Sequence, residues 1–335
     1  MKNKQIAGIV IAGIVFIAVG VMGVASNYFA GKFNQSATES FGSLWEEYED
    51  GASISLPENQ FIGVINVVGT IQGSQSSGLS SGSGYNHSLY MKFVDKMMES
   101  DNNRGIMLYV DSPGGNVYES DELYLKLMEY KEATGRPVWA YFASEACSGG
   151  YYISMAADKI NANRNCWTGS IGVIISLTNY KDLYDKVGLK EIDITSGANK
   201  AMGSGAAELT EEQRQILQDM VDEAYDQFVG IVAEGRNMDE TQVRKLADGR
   251  IYTAKQAVEN GLVDELGSYE DMQEQFETAV GETGLEFYAP EADSLTSLFS
   301  SLFSAYQAGK SRSDAEVVED AIENSRNGVL MYYAK

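Results

Sequence analysis

Strand and helix patterns alternate between residues 61 and 194, which predicts an α/β fold built on a parallel sheet with covering helices. Two further features frame that region: an uncharged apolar stretch near the N-terminus and a long amphipathic segment that makes the C-terminal part helical. With 335 residues, 44% of them apolar, the chain is long enough for one large domain plus accessories. No segment repeats at a fixed period.

The elements follow in order. Residues 6–25 carry no charge and are preceded by Lys2 and Lys4. At about 1.5 Å per residue such a stretch spans about 30 Å, the hydrocarbon core of a bilayer. Residues 1–27 are therefore expected to be a cytoplasmic N-terminus and one transmembrane helix, with the rest of the chain outside the cytoplasm on the cell membrane. A cleaved secretory signal ending near Gly23-Val24-Ala25 is the alternative, and it exports the same domain. Residues 28–57, with the acidic cluster Glu46-Glu47-Tyr48-Glu49-Asp50, read as a stalk. Residues 58–290 form the main domain. Within it the pattern predicts strands at 61–68, 105–110, 138–142, 159–162, 171–175 and 191–194. Helices are predicted at 89–98, 117–132, 151–157, 180–187 and 211–234, and a Gly/Ser-rich loop at 73–84. Residues 291–335 are a tail ending in the apolar run Leu330-Met331-Tyr332-Tyr333, which suits either a final edge strand or a segment that occupies a neighbouring subunit's groove.

A formal net charge of −23 excludes a nucleic-acid binder, because a phosphate backbone needs Lys and Arg to displace its counterions. An acidic, solubilising surface accounts for the charge. Two cysteines, Cys147 and Cys166, make at most one disulfide and no disulfide framework. Nothing in the pattern calls for a metal or a cofactor.

Two glycine-containing turns each follow a predicted strand. Asp111-Ser112-Pro113-Gly114-Gly115 allows close backbone approach and presents the free N–H groups of the next helix, the equipment of an oxyanion hole. Ala146-Cys147-Ser148-Gly149-Gly150 sets a serine among small residues at the mouth of a helix, as in a nucleophile elbow, although G-x-S-x-G itself is absent. Taken singly, the first is also a plain strand-to-helix turn and the second a helix N-cap. Together they favour catalysis, since nucleophile and oxyanion donors come from different loops of one sheet. The chain has one histidine, His87, in a polar segment where such a residue is usually structural. A lysine is the other base open to a serine, once burial makes it neutral often enough to accept a proton. Composition does not choose among the lysines; Lys200 lies in a Gly-rich loop after a predicted strand. Cys147 as a thiol nucleophile stays open.

These segments resemble the signal peptide peptidase A family, SppA, in its short single-repeat bacterial form. The resemblance runs from the N-terminal apolar stretch through Tyr85-Asn86-His87 and Asp111-Ser112-Pro113-Gly114-Gly115 with Val117-Tyr118-Glu119-Ser120. It continues through Ser148-Gly149-Gly150-Tyr151-Tyr152-Ile153-Ser154, Thr168-Gly169-Ser170-Ile171-Gly172-Val173 and the Ser196-Gly197 loop. Ala247-Asp248-Gly249-Arg250-Ile251-Tyr252, Gly261-Leu262-Val263-Asp264-Glu265-Leu266-Gly267 and Met331-Tyr332-Tyr333-Ala334-Lys335 complete it. The resemblance implies Ser148 as nucleophile, Lys200 as general base, Ser170 as the hydroxyl that orients the lysine, and the N–H groups of Gly115 and Gly149 as oxyanion hole. It implies a crotonase/ClpP-like fold of stacked ββα units and a homo-oligomer with composite sites, needing no cofactor. The implied substrates are apolar peptides, the remnants of signal peptides. An acyl-CoA enzyme of the same fold and a non-enzymatic membrane scaffold are the rival readings. Extracytoplasmic placement disfavours the first, and the Ser148/Lys200 pair the second.

Overall fold

The computed structural model describes residues 54–73, 84–290 and 331–333. The apolar stretch, most of the stalk, the centre of the Gly/Ser-rich loop and most of the tail lie outside these residues. Among the described residues, no helix is long and apolar enough to cross a membrane.

The chain forms a mixed α/β structure. In order it runs β1 (Phe61–Val68), α1 (His87–Glu99), β2 (Asn103–Ser112), β3 (Gly114–Asn116), α2 (Val117–Thr134) and β4 (Val138–Cys147). Next come α3 (Gly149–Ile153), a 3-10 turn at Ser154–Ala156, β5 (Lys159–Ala162), β6 (Trp167–Gly169) and α4 (Lys181–Val187). Then follow α5 (Glu211–Gly235), α6 (Glu240–Leu246), β7 (Ile251–Thr253), α7 (Ala254–Glu259), β8 (Glu265–Leu266), α8 (Tyr269–Val280), β9 (Glu286–Tyr288) and β10 (Met331–Tyr333).

The main sheet runs β7-β6-β4-β2-β1-β9, with β5 on the first half of β4 and β8 beside β5. All pairs are parallel except β6 with β7. Both faces of the central strands are covered, which explains why they read as near-continuous apolar runs. Phe61, Ile65, Val67, Ile106, Leu108, Val110, Val138, Ala140 and Phe142 face the large core beneath α1, α2, α3 and α5. Ile62, Val64, Met107, Trp139 and Tyr141 face the other way, toward Met272 and Phe276 of α8.

Helix boundaries follow local chemistry. Asn86 caps α1 by accepting from the Leu89 N–H, α2 stops at Gly135 in the left-handed region, and Thr210 with Gln213 forms a capping box at the start of α5.

Two expected strands are not formed. Residues 171–175 contain no strand; the pairing falls earlier, at Trp167–Gly169. Residues 191–194 are irregular and exposed, with Ile192 at 82% and Ile194 at 97%. Alternating apolar residues there suggested a strand, but among the described residues no strand pairs with them, and α4 likewise buries none of its residues. The expected short strand at 138–142 extends instead through Cys147, because β6 pairs with its second half.

Truncating Phe276, fully buried with its ring 4.9 Å from that of Trp139, tests the packing of the smaller core. Phe276→Ala is expected to lower unfolding free energy by about 3–5 kcal/mol in a denaturant titration, as for buried aromatics generally.

Candidate active site

β4 ends in a constrained turn. Ser148 follows Cys147 with φ 54° and ψ −115°, and Gly149 opens α3 directly after it. A left-handed φ is costly for a residue with a Cβ, so such strain persists only where the surroundings enforce it. Here the Ser148 N–H donates to Gly169 O at 2.8 Å, its carbonyl accepts from the Tyr152 N–H at 2.8 Å, and Cys147 pairs in register with Gly169. The hydroxyl does not cap the helix; Ser148 Oγ is buried and has no hydrogen-bond partner among the described residues. That removes the N-cap explanation and leaves a hydroxyl uncommitted to structure.

The same register brings Ser170 beside it. β6 runs parallel to the end of β4, Thr168 Oγ1 donates to Ala146 O at 2.6 Å, and Ser170 follows the paired Gly169 just as Ser148 follows Cys147. Ser170 also has positive φ, 48°, and its N–H donates to Arg250 O at 2.8 Å.

The second glycine turn lies across from this one, because Ser112 of β2 pairs with Ala146 of β4. Gly114 takes φ 103°, a conformation that favours glycine. Gly115 must lack a side chain for a different reason: a Cβ there would sit 1.9 Å from Ile71 O. Ile71 holds the turn from one edge, its N–H donating to Gly114 O at 2.9 Å and its carbonyl accepting from the Asn116 N–H at 2.8 Å. Ser112 Oγ adds a link, donating to Gly69 O at 2.6 Å and accepting from the Gly114 N–H at 3.1 Å. On the other edge of β3 lies β10, antiparallel, with Tyr332 opposite Gly115. The tail thus adds an edge strand to its own chain.

Lys200 stands apart. It lies in a run of turns after α4, is exposed, and its ammonium makes no hydrogen bond or ion pair among the described residues. Since Ser148 Oγ has no partner, Lys200 Nζ is not within hydrogen-bond reach of it in one chain.

The cysteines are free and buried. Burial pushes the Cys147 thiol well above its ordinary value and the Cys166 thiol up to about 12, so both are held protonated, which argues against Cys147 as nucleophile. Both thiols donate to Trp167 O, at 3.7 and 3.2 Å.

Sequence patterns passed over two residues that brace these turns. One is Ile71, which braces the turn through its backbone while its side chain is buried in the main core. The other is Asp111, whose Oδ1 accepts from Ser144 Oγ and from the Glu145 N–H, tying the end of β2 to the last turn of β4. A carboxylate directly before Ser-Pro-Gly-Gly was the only available hint.

Backbone strain at the turn is measurable. Ser148→Gly is expected to be more stable than Ser148→Ala by about 1–3 kcal/mol, the usual cost of such a φ/ψ, with both lacking the hydroxyl. Thermal or urea unfolding of the two variants side by side checks this; equal stability would mean the turn is unstrained.

Residues 130–282 match the model of peptidase family S49. The chain is 44% identical over 226 residues to a proposed signal peptide peptidase SppA of Enterococcus faecium, an alignment covering 68% of this chain and 64% of that protein. It is 32% identical over 256 residues to protease 4 of Haemophilus influenzae, covering 74% of this chain and 40% of the relative. With the chloroplastic serine protease SPPA of Arabidopsis thaliana the identity is 31% over 175 residues, covering 52% and 26%. Each of these alignments spans less than two thirds of the relative's own length. Motif order, the paired glycine turns and these matches agree, and the chain belongs to peptidase family S49, alongside SppA and protease 4 proteins.

Proposed function

We propose that the protein is a serine endopeptidase in which Ser148 of one copy is activated by Lys200 of another. The observation that carries this is the Ser148 hydroxyl: buried, strained into place beside Gly149, and without a hydrogen-bond partner among the described residues. A serine so placed needs a base, and the described residues of its own chain bring none to it. Lys200 is borne on an exposed segment whose apolar residues Leu183, Val187, Leu189, Ile192 and Ile194 are uncovered in a single chain. Packing that segment on a second copy would bury apolar surface and carry the lysine with it, and burial would favour the neutral amine.

The chemistry is acyl transfer. Neutral Lys200 takes the Ser148 proton as Oγ attacks the peptide carbonyl carbon, and the N–H groups of Gly115 and Gly149 hold the resulting oxyanion. Collapse breaks the C–N bond, with Lys200 returning its proton to the leaving amine. A water, deprotonated by the same lysine, then hydrolyses the acyl-enzyme. Ser170, brought beside Ser148 by the β4–β6 register, is the hydroxyl suited to orient the lysine.

The finer readings rest on the same frame. Successive strand–helix units, β1-α1, β2-β3-α2 and β4-α3, suit a crotonase/ClpP-like arrangement. β10 on the edge of β3 shows that an extended segment fits there, which supports substrate binding by strand addition. Apolar peptides such as signal-peptide remnants are the substrates we infer. Membrane attachment through residues 6–25 would hold the domain where such peptides accumulate.

Mixing inactive variants tests the shared site. Ser148→Ala and Lys200→Ala are each expected to lose activity by about 10³-fold or more on an apolar reporter peptide. Copies exchanged at equal amounts should recover about a quarter of wild-type activity, since half the sites keep the serine and half of those meet an intact lysine. No recovery after subunit exchange would count against a site built from two copies.

The tail allows a second test. Deleting residues 331–335 frees the β3 edge and is expected to raise kcat/KM for peptides several-fold. Unchanged rates would mean that β10 does not compete with substrate.

A further inference from the structure

We propose that His87 is a positioning residue for this peptidase: through Glu122 it clamps the first turns of α2, and thereby holds the β3 edge in place. The proposal rests on the serine-peptidase reading of Ser148 and adds a residue that reading does not use.

His87, the one histidine of the chain, is 7% exposed at the start of α1. Both ring nitrogens are engaged. Nδ1 lies 2.6 Å from the Tyr85 hydroxyl and Nε2 lies 2.6 Å from Glu122 Oε2 on α2. The second Glu122 oxygen accepts from the Tyr118 hydroxyl at 2.9 Å. The His87 hydrogen bond is the leading reason that the Glu122 carboxyl sits below its ordinary range. One helical step back, Glu119 is buried, and its Oε2 has no partner among the described residues. Its other oxygen is packed so closely on Gly73 that a Cβ there would come within 2.5 Å.

These side chains meet where three segments converge: residues 71–73, the start of α1 and the first turns of α2. Each bears on β3. Ile71 is hydrogen-bonded across Gly115, and α2 begins at Val117 with no residue between it and β3. A shift of the α2 start therefore moves Gly115, whose edge receives an extended segment.

One ring nitrogen serves each neighbour, so the imidazole ties the segment before α1 to α2 rather than capping either helix alone. Tyr85 is flanked by Glu119, Tyr90 and Glu122, and Glu122 by Tyr118 and Lys126. Lys126 is itself paired with Asp95 and Glu129, which leaves His87 as the leading partner of Glu122.

The experiment compares the full-length wild-type protein with His87→Ala and His87→Gln in steady-state cleavage of an apolar reporter peptide, alongside amide exchange of residues 114–116. His87→Ala is expected to raise KM about two- to fivefold with kcat little changed, the range of a single polar pair, and to lower the exchange protection of residues 114–116. His87→Gln keeps a side-chain donor for Glu122 and should restore most of both, while a small serine-directed acylating probe labels Ser148 in each variant. Unchanged KM and exchange protection in His87→Ala, or no rescue by His87→Gln, overturns the clamp. Failure of the probe to label wild-type Ser148 would instead sink the peptidase reading, and amide exchange would still report on the clamp.

Discussion

The register between β4 and β6 is the constraint on which the site depends. Cys147 lies opposite Gly169, and the next residue of each strand, Ser148 and Ser170, turns into the left-handed region. One ladder of backbone hydrogen bonds therefore fixes two hydroxyl-bearing residues at once. β4 can serve in this way because its first half is occupied by β5 and only its second half by β6. A slip of one residue would exchange the faces of β6 and move Ser170 away from Ser148.

The β3 turn is held by a second set of backbone contacts, independent of the first. Ile71 bridges Gly114 and Asn116, Ser112 reaches back to Gly69, and Asp111 reaches forward to Ser144 and Glu145. The two turns are joined through the Ser112–Ala146 pair. Oxyanion donors act best when they need no reorganisation, and a turn tied on several sides by hydrogen bonds meets that condition. By contrast, Lys200 and the residues around it make few ties to the rest of their own chain. A rigidly held serine and an uncovered lysine are the complementary halves that the proposed two-copy site requires.

The acidic, tyrosine-rich cluster around His87 is a third layer of support. It lies behind α2 rather than in the site, and its influence passes along the helix into β3. Its hydrogen bonds tie the segment before α1 to α2, so the geometry of the β3 edge depends on residues that lie outside the site itself.

Much of the domain was legible in sequence because it is governed by local rules. Strands buried on both faces show as apolar runs at 61–68, 105–110 and 138–142, and helices with one buried face show their spacing at 89–98, 117–132 and 211–234. The Gly114-Gly115 turn was visible because a positive φ at Gly114 and a close approach at Gly115 favour glycine at both positions. Residues 171–175 and 191–194 misled because apolar alternation looks the same whether the residues pair in a sheet, pack into the core from an irregular segment, as Ile171 and Val173 do, or stay uncovered, as Ile192 and Ile194 do. The sequence by itself determined the chemistry on offer: a serine among glycines, one histidine, several lysines. Only tertiary structure decided which of these meet. Pairing register puts Ser170 beside Ser148, while the path of the chain leaves Lys200 out of hydrogen-bond reach of it, and neither long-range register nor path is encoded in any local pattern.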